Sequence, residues 1–292
     1  MSRAKLPLLN LALLLCVLAG ATQAVVGQAA ARPAPVASPA VVHSTVTETA
    51  VDSSIPNDKA VEKMLTLYAP KVRALDQVIG KLKGDLKKGG IGAGSLGNFV
   101  TDGIRSEASR KLGKPILLAV TNAGGLRRGV IPEGELRLRD IFELMPFENA
   151  LVAFDLTGAQ VLDLLRVVVS FRDAQSGARI AYRTSVNRKP ELEQARFLID
   201  GAEREIDPAA TYTVISIDYL WKRRSTTPSE TEGNYSILNE GKNITPLGLT
   251  IRDALIGYVK AETAAGRDIH STLDGRFVFD KAGSEGAQEP KP

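Results

Sequence analysis

The chain is short of the residues most used for covalent and metal chemistry. Its 292 residues include one cysteine and two histidines. Cys16 lies in an apolar run, Leu8 to Ala21, that follows Arg3 and Lys5 and precedes Thr22-Gln23-Ala24. A positive end, a short apolar centre and a small-residue exit are the pattern of a secretory signal peptide, here residues 1–24. The alternative, a membrane anchor, needs roughly 18–20 apolar residues, more than this run has. Cleavage would take Cys16 with it, leaving a periplasmic or extracellular chain with no stable membrane span. Such a chain has no disulfide, thiol nucleophile or cysteine metal site. His43 and His270 are far apart, and neither His-x-His nor Asn-His-Glu occurs. The convergent ligands of a dinuclear metal centre are therefore not visible, and no cofactor is expected. Asp102, Asp140, Asp155 and Asp218 are scattered among elements that offer capping or charge-pairing roles, and Gly-x-Ser-x-Gly is absent.

A strong charge of one sign is lacking too. The formal net charge is +4, and without Arg3 and Lys5 there remain 35 basic against 33 acidic residues. A nucleic-acid partner needs a clustered basic face. The densest run, Lys222-Arg223-Arg224, reads as a solvated loop.

Residues 25–57 are rich in Ala, Pro, Val, Ser and Thr and read as a disordered tether. Residues 282–292 read as a disordered tail. Between them, residues 58–281 read as one α/β (α+β) domain with a mixed sheet flanked by helices. Apolar residues at helical spacing predict helix over Val61 to Tyr68 and Val72 to Leu82. Gly89 to Gly94 reads as a loop, with Ser95 capping a helix through Phe99, Val100, Ile104 and Ala108. Ile116 to Val120 predicts a strand buried on both faces. Further helices are expected over Leu138 to Leu144, from Thr157-Gly158 through Val168, and over Thr250 to Thr263. Strands are expected at Leu151 to Leu156, Ala195 to Ile199, Thr211 to Ile217 and Arg276 to Phe279.

The most informative stretch is Thr121-Asn122-Ala123-Gly124-Gly125-Leu126-Arg127-Arg128-Gly129. Gly124 and Gly125 allow positive φ and let a ligand approach the backbone. Asn122 can donate and accept, and Arg127 presents a planar fork suited to phosphate or carboxylate. The plain alternative is a strand-ending turn followed by a surface arginine. Phe147 follows Pro146, which restricts the backbone, so its ring can be a rigid stacking wall; it can equally be a core aromatic closing a helix. Tyr219 can form the opposing wall or pack against Trp221.

Ser95-Leu96-Gly97-Asn98-Phe99-Val100-Thr101-Asp102, Asn122-Ala123-Gly124-Gly125-Leu126-Arg127, Gly134-Glu135-Leu136, Pro146-Phe147-Glu148-Asn149 and Leu156-Thr157-Gly158 resemble, in order and spacing, the C-terminal domain of the 5'-nucleotidase family. Ile251-Arg252-Asp253-Ala254-Leu255 resembles its late helix. The resemblance implies a domain that binds the nucleoside part of a substrate, while a separate metallophosphoesterase domain holds the metals and hydrolyses. It implies substrate contacts by Asn122, Gly124, Gly125 and Arg127, stacking by Phe147 and Tyr219, and a ribose contact near Asn234. Two departures stand out. Gly89 to Gly94 lacks the family's arginine and glutamate, and Asn234 stands near the place of its ribose-binding aspartate.

Three readings follow from this resemblance. The first is an exported module that binds a nucleotide or nucleoside without its own dinuclear metal site. The second is a subunit of a split nucleotidase acting with a separate metallophosphoesterase chain. The third is a degenerate structural or interaction domain.

Overall fold

The computed structural model describes residues 44–185, 187–222 and 235–280. The chain divides into two units, residues 1–56 and 57–292. The described residues of the first, 44–56, form no helix or strand. The second holds the fold.

Its centre is a mixed five-stranded sheet. In chain order these strands are β3 (Leu118–Thr121), β6 (Ala150–Thr157), β7 (Ala174–Ser176), β11 (Thr211–Ile217) and β12 (Lys242–Thr250), arranged β12-β6-β11-β3-β7. β11 runs parallel to β3 and antiparallel to β6. β3 is buried at every position, as an apolar strand covered on both faces must be. Helices α2 (Gly94–Leu112) and α4 (Gly158–Ser170) flank this sheet.

Local signals account for the helices. Thr157 caps α4, and Gln160 returns the bond to the Thr157 N–H. Val161, Leu164, Leu165 and Val168 then form its buried stripe. Helix α6 (Ile251–Ala264) repeats the device with Thr250 and Asp253, and buries Ile251, Leu255 and Val259. Helix α3 (Leu138–Leu144) spans the residues expected.

Two sequence expectations are corrected. Ser95 does not cap α2: Ala93, in the left-handed region, precedes the helix, and the Ser95 hydroxyl accepts from the Lys87 N–H at 2.9 Å. Gly97 has no room for a side chain, because a Cβ there would lie 2.0 Å from the Gly92 carbonyl. The second correction concerns Val72 to Leu82, where a single helix was expected. Helix α1 (Lys59–Ala74) stops, and β1 (Val78–Lys83) follows. β1 pairs with β5 (Gly134–Arg137) and β13 (Ile269–His270). A register shift between Val78 and Gly80 leaves Ile79 and Leu82 both buried. Buried residues three apart imitate helical spacing, and only the strand partners resolve the ambiguity.

The other elements are short pieces and a peripheral sheet. β2 (Leu86–Lys87) pairs with β4 (Val130–Ile131). β8 (Ala178–Thr184), β9 (Pro190–Ile199), β10 (Ala202–Glu205) and β14 (Phe277–Phe279) form a sheet ordered β10-β9-β8-β14. Arg276, at the entry to β14, is buried and bonds both Asp102 of α2 and Asp274. Ion pairs and hydrogen bonds also absorb the other scattered aspartates: Asp140 bonds Arg128, Asp155 accepts from Thr213 and Asn243, and Asp218 pairs with Lys222.

Candidate functional site

The carboxyl ends of the parallel neighbours β3 and β11, and the amino end of the antiparallel β6, lie along one edge of the central sheet. Loops leaving that edge carry the predicted site residues. In open sheets with parallel strands, the carboxyl ends are where ligands bind.

β3 runs into Asn122 and a tight turn, Ala123–Gly125, closed by Gly125 N–H to Asn122 O at 3.1 Å and Leu126 N–H to Ala123 O at 3.1 Å. Neither Gly124 nor Gly125 adopts positive φ, so that expectation is corrected. Their lack of a side chain serves Asn122 instead. A Cβ on Gly124 would come within 3.4 Å of Asn122 Nδ2, and one on Gly125 within 3.3 Å of Asn122 Oδ1. The Asn122 amide thus folds over its own turn. Its Oδ1 is buried and accepts no hydrogen bond among the described residues.

A buried anchor that sequence reasoning missed holds this turn. Asp173 accepts from the Ala123 N–H at 2.7 Å and from the Tyr235 hydroxyl at 2.6 Å. Burial first, and then the Asp173 charge, push the Tyr235 phenol well above its ordinary range. Asp173 lies 50 residues from Ala123, so no local pattern could have linked them.

The loop then places Leu126 in the core and turns Arg127 outward. Arg128 is bound by Asp140 at 2.8 Å and Glu143 at 3.2 Å. Among the described residues no carboxylate pairs with Arg127, whose guanidinium lies 5.9 Å from the centre of the Phe147 ring. The Arg127 N–H donates to the Leu144 carbonyl at 2.8 Å, which ties this loop to the end of α3, two residues before Pro146.

Phe147 is 47% exposed, which removes the core-aromatic alternative. Arg252 of α6 fastens its turn, donating to the Pro146 carbonyl at 3.1 Å and pairing with Glu148 at 3.0 Å. Tyr219 lies in the short helix α5 (Asp218–Lys222) and is 45% exposed. It is Trp221 that takes the interior position, edge-on to Phe154 at 5.9 Å. Asp218 accepts from the Ala150 N–H at 2.9 Å, which ties α5 to the start of β6. Pro146, Phe147, Glu148, Asn149, Asp218, Tyr219 and Lys222 line one open cleft of about 600 Å³. Both aromatic side chains therefore border the same space. Asn234, Arg223 and Arg224 lie outside the described residues.

The described residues do not fit a pair of divalent metals. No three His, Cys, Asp or Glu side chains converge among them. Asp268-Ile269-His270 has an Asp-x-His spacing, but Asp268 is paired with Lys83 at 2.9 Å. No described helix is long and apolar enough to cross a membrane.

Comparison with known proteins identifies the family and the fold. The chain is 38% identical over 134 residues to the trifunctional nucleotide phosphoesterase protein YfkN of Bacillus subtilis, a match that covers 43% of this chain and 9% of that protein. It is 28% identical over 172 residues to a 5'-nucleotidase of Vibrio vulnificus, covering 57% of this chain and 30% of that one. The chain thus spans less than a third of the length of either relative. The crystal structure of a 5'-nucleotidase precursor from Thermus thermophilus superposes with a TM-score of 0.62 at 25% identity, over 76% of this chain and 43% of that one. Residues 78–227 match the model of the 5'-nucleotidase, C-terminal domain. On that match and the order of its motifs, the chain belongs to the 5'-nucleotidase C-terminal domain family.

Proposed function

We propose that the chain binds a nucleotide or nucleoside at the edge of the central sheet, with the base in the cleft bordered by Phe147 and Tyr219. The observation that carries this reading is the exposure of both rings on one cleft. Large apolar rings are normally spent on the core, and two held at a rim, one by the Arg252 contacts and one by the Asp218 contact, suit a planar aromatic ligand. Arg127, which pairs with no carboxylate among the described residues, meets the phosphate, and the Asn122 amide contacts the ligand beside it. Gly124 and Gly125 keep the turn open for that contact, and Asn234 adds a hydrogen bond to the ribose. The protein is exported, with residues 1–24 as its signal. Its described residues hold the ligand without a dinuclear metal site. Isothermal titration with AMP, adenosine and a nucleotide sugar tests the binding. Heat saturating at one ligand per chain is expected, and no heat with any of the three overturns the reading.

A further inference from the structure

Helix α1 does not behave like the other helices of the domain. None of its 16 residues is buried. An isolated helix of that length, about 24 Å, is marginal in water and normally owes its stability to packing of an apolar face. Its end groups are well provided for. Asp58 accepts from the Ala60 and Val61 N–H groups at 2.8 and 3.0 Å, Glu62 sits in the first turn, and Lys71 and Arg73 sit in the last. Just beyond its C-terminal end the chain is tied down. The Arg139 N–H donates to the Leu75 carbonyl at 2.9 Å, Arg137 donates to the Asp76 carbonyl at 3.0 Å, and Arg139 pairs with the Asp76 carboxylate.

The uncovered residues form a pattern. Val61, Met64, Leu65, Tyr68 and Val72 are all exposed, and at helical spacing they occupy an arc of about 100°. Lys71 borders this arc on one side, Glu62 and then Arg73 stand beyond it on the other, and Lys59, Lys63 and Pro70 fall opposite. Lys59 to Ala74 contains four basic residues and one acidic residue. A second copy of the helix would set like charge against like, so charge complementarity calls for an anionic surface. Lysine and arginine beside an apolar arc can lay their stems along it and raise their charged ends to headgroup level.

We propose that α1 is an interfacial helix that lies along the surface of an anionic lipid bilayer, with the arc from Val61 to Val72 in the acyl boundary and Lys71 and Arg73 at the phosphates. The domain is thereby held at a membrane without crossing it.

Vesicle co-sedimentation of the mature chain, residues 25–292, tests this, with phosphatidylcholine alone and with added phosphatidylglycerol. The wild type is expected to partition more strongly onto the anionic vesicles, and less so as salt is raised. Leu65→Ser with Tyr68→Ser should weaken that partition by about tenfold or more, from the lost apolar burial. The melting temperature should not move, since neither side chain is buried. Lys71→Glu with Arg73→Glu should remove the preference for phosphatidylglycerol. Equal partition onto both lipids, or variants that partition like the wild type, overturns the proposal. So does a lipid-free dimer that the Leu65/Tyr68 variant dissociates, which would make a second copy the occupant.

Discussion

Replacing Phe147 by alanine separates a ligand-binding ring from a structural one. A fully buried phenylalanine costs about 3–5 kcal/mol on truncation to alanine. Phe147 is 47% exposed, and its contact with the Arg127 guanidinium at 5.9 Å is at the surface. An exposed cation–π contact is worth roughly 0.5–1 kcal/mol. With about half the apolar burial added, the stability cost should be about 1–2 kcal/mol. For a domain of this size that corresponds to a melting temperature lower by roughly 2–8 °C. Stacking of a base on an aromatic ring is worth about 1–3 kcal/mol by alanine substitution, or roughly 5- to 150-fold in Kd. Calorimetric titration with AMP and a thermal melt of the same preparation give both quantities. A Phe147→Ala protein that melts more than about 10 °C lower yet binds AMP with unchanged affinity would refute the argument and return the ring to a packing role.

Arg127→Ala should weaken AMP binding by roughly tenfold to a hundredfold, the value of a charge-assisted bond, with the melting temperature nearly unchanged; equal loss in Arg128→Ala, whose guanidinium is held by Asp140, would show that the wrong arginine was chosen. Arg276→Ala should cost about 1–2 kcal/mol, because it removes a buried guanidinium that bonds the partly exposed Asp102 and Asp274; denaturant melts should show it as a lower midpoint with the same slope. The Tyr258 phenol is pushed up from 10.0 to about 12, by burial first and then by Asp102. A raised folded-state value means that its contribution is complete below pH 10 and is lost as pH rises towards 12. Stability should therefore fall across that window, and Tyr258→Phe should make the fall shallower in pH-dependent denaturant melts.

Much of the local architecture was legible because its causes are local. The Thr157–Gln160 and Thr250–Asp253 capping pairs stand three residues apart and announce α4 and α6. The apolar run ending at Thr121 needs only its own composition to declare a buried strand. Order and spacing of the motifs placed Asn122, Arg127, Phe147 and Tyr219 in one family pattern. The end of α1 and the start of β1 were not legible, since Ile79 and Leu82 satisfy helical spacing until β5 and β13 pair with the segment.

The sequence by itself determined the family, the mixed α/β class and the residue types available at the site, because capping, periodicity and motif order are properties of short stretches. Only the tertiary structure decided how those residues are deployed. It laid the Asn122 amide over Gly124 and Gly125, left Arg127 with no carboxylate among the described residues while Asp140 took Arg128, and set the turn on Asp173 and Tyr235. It also exposed Phe147 and Tyr219 on one cleft and left α1 uncovered. Each of these outcomes depends on which distant group fills the space beside a residue, and burial and pairing across the fold are what fill it.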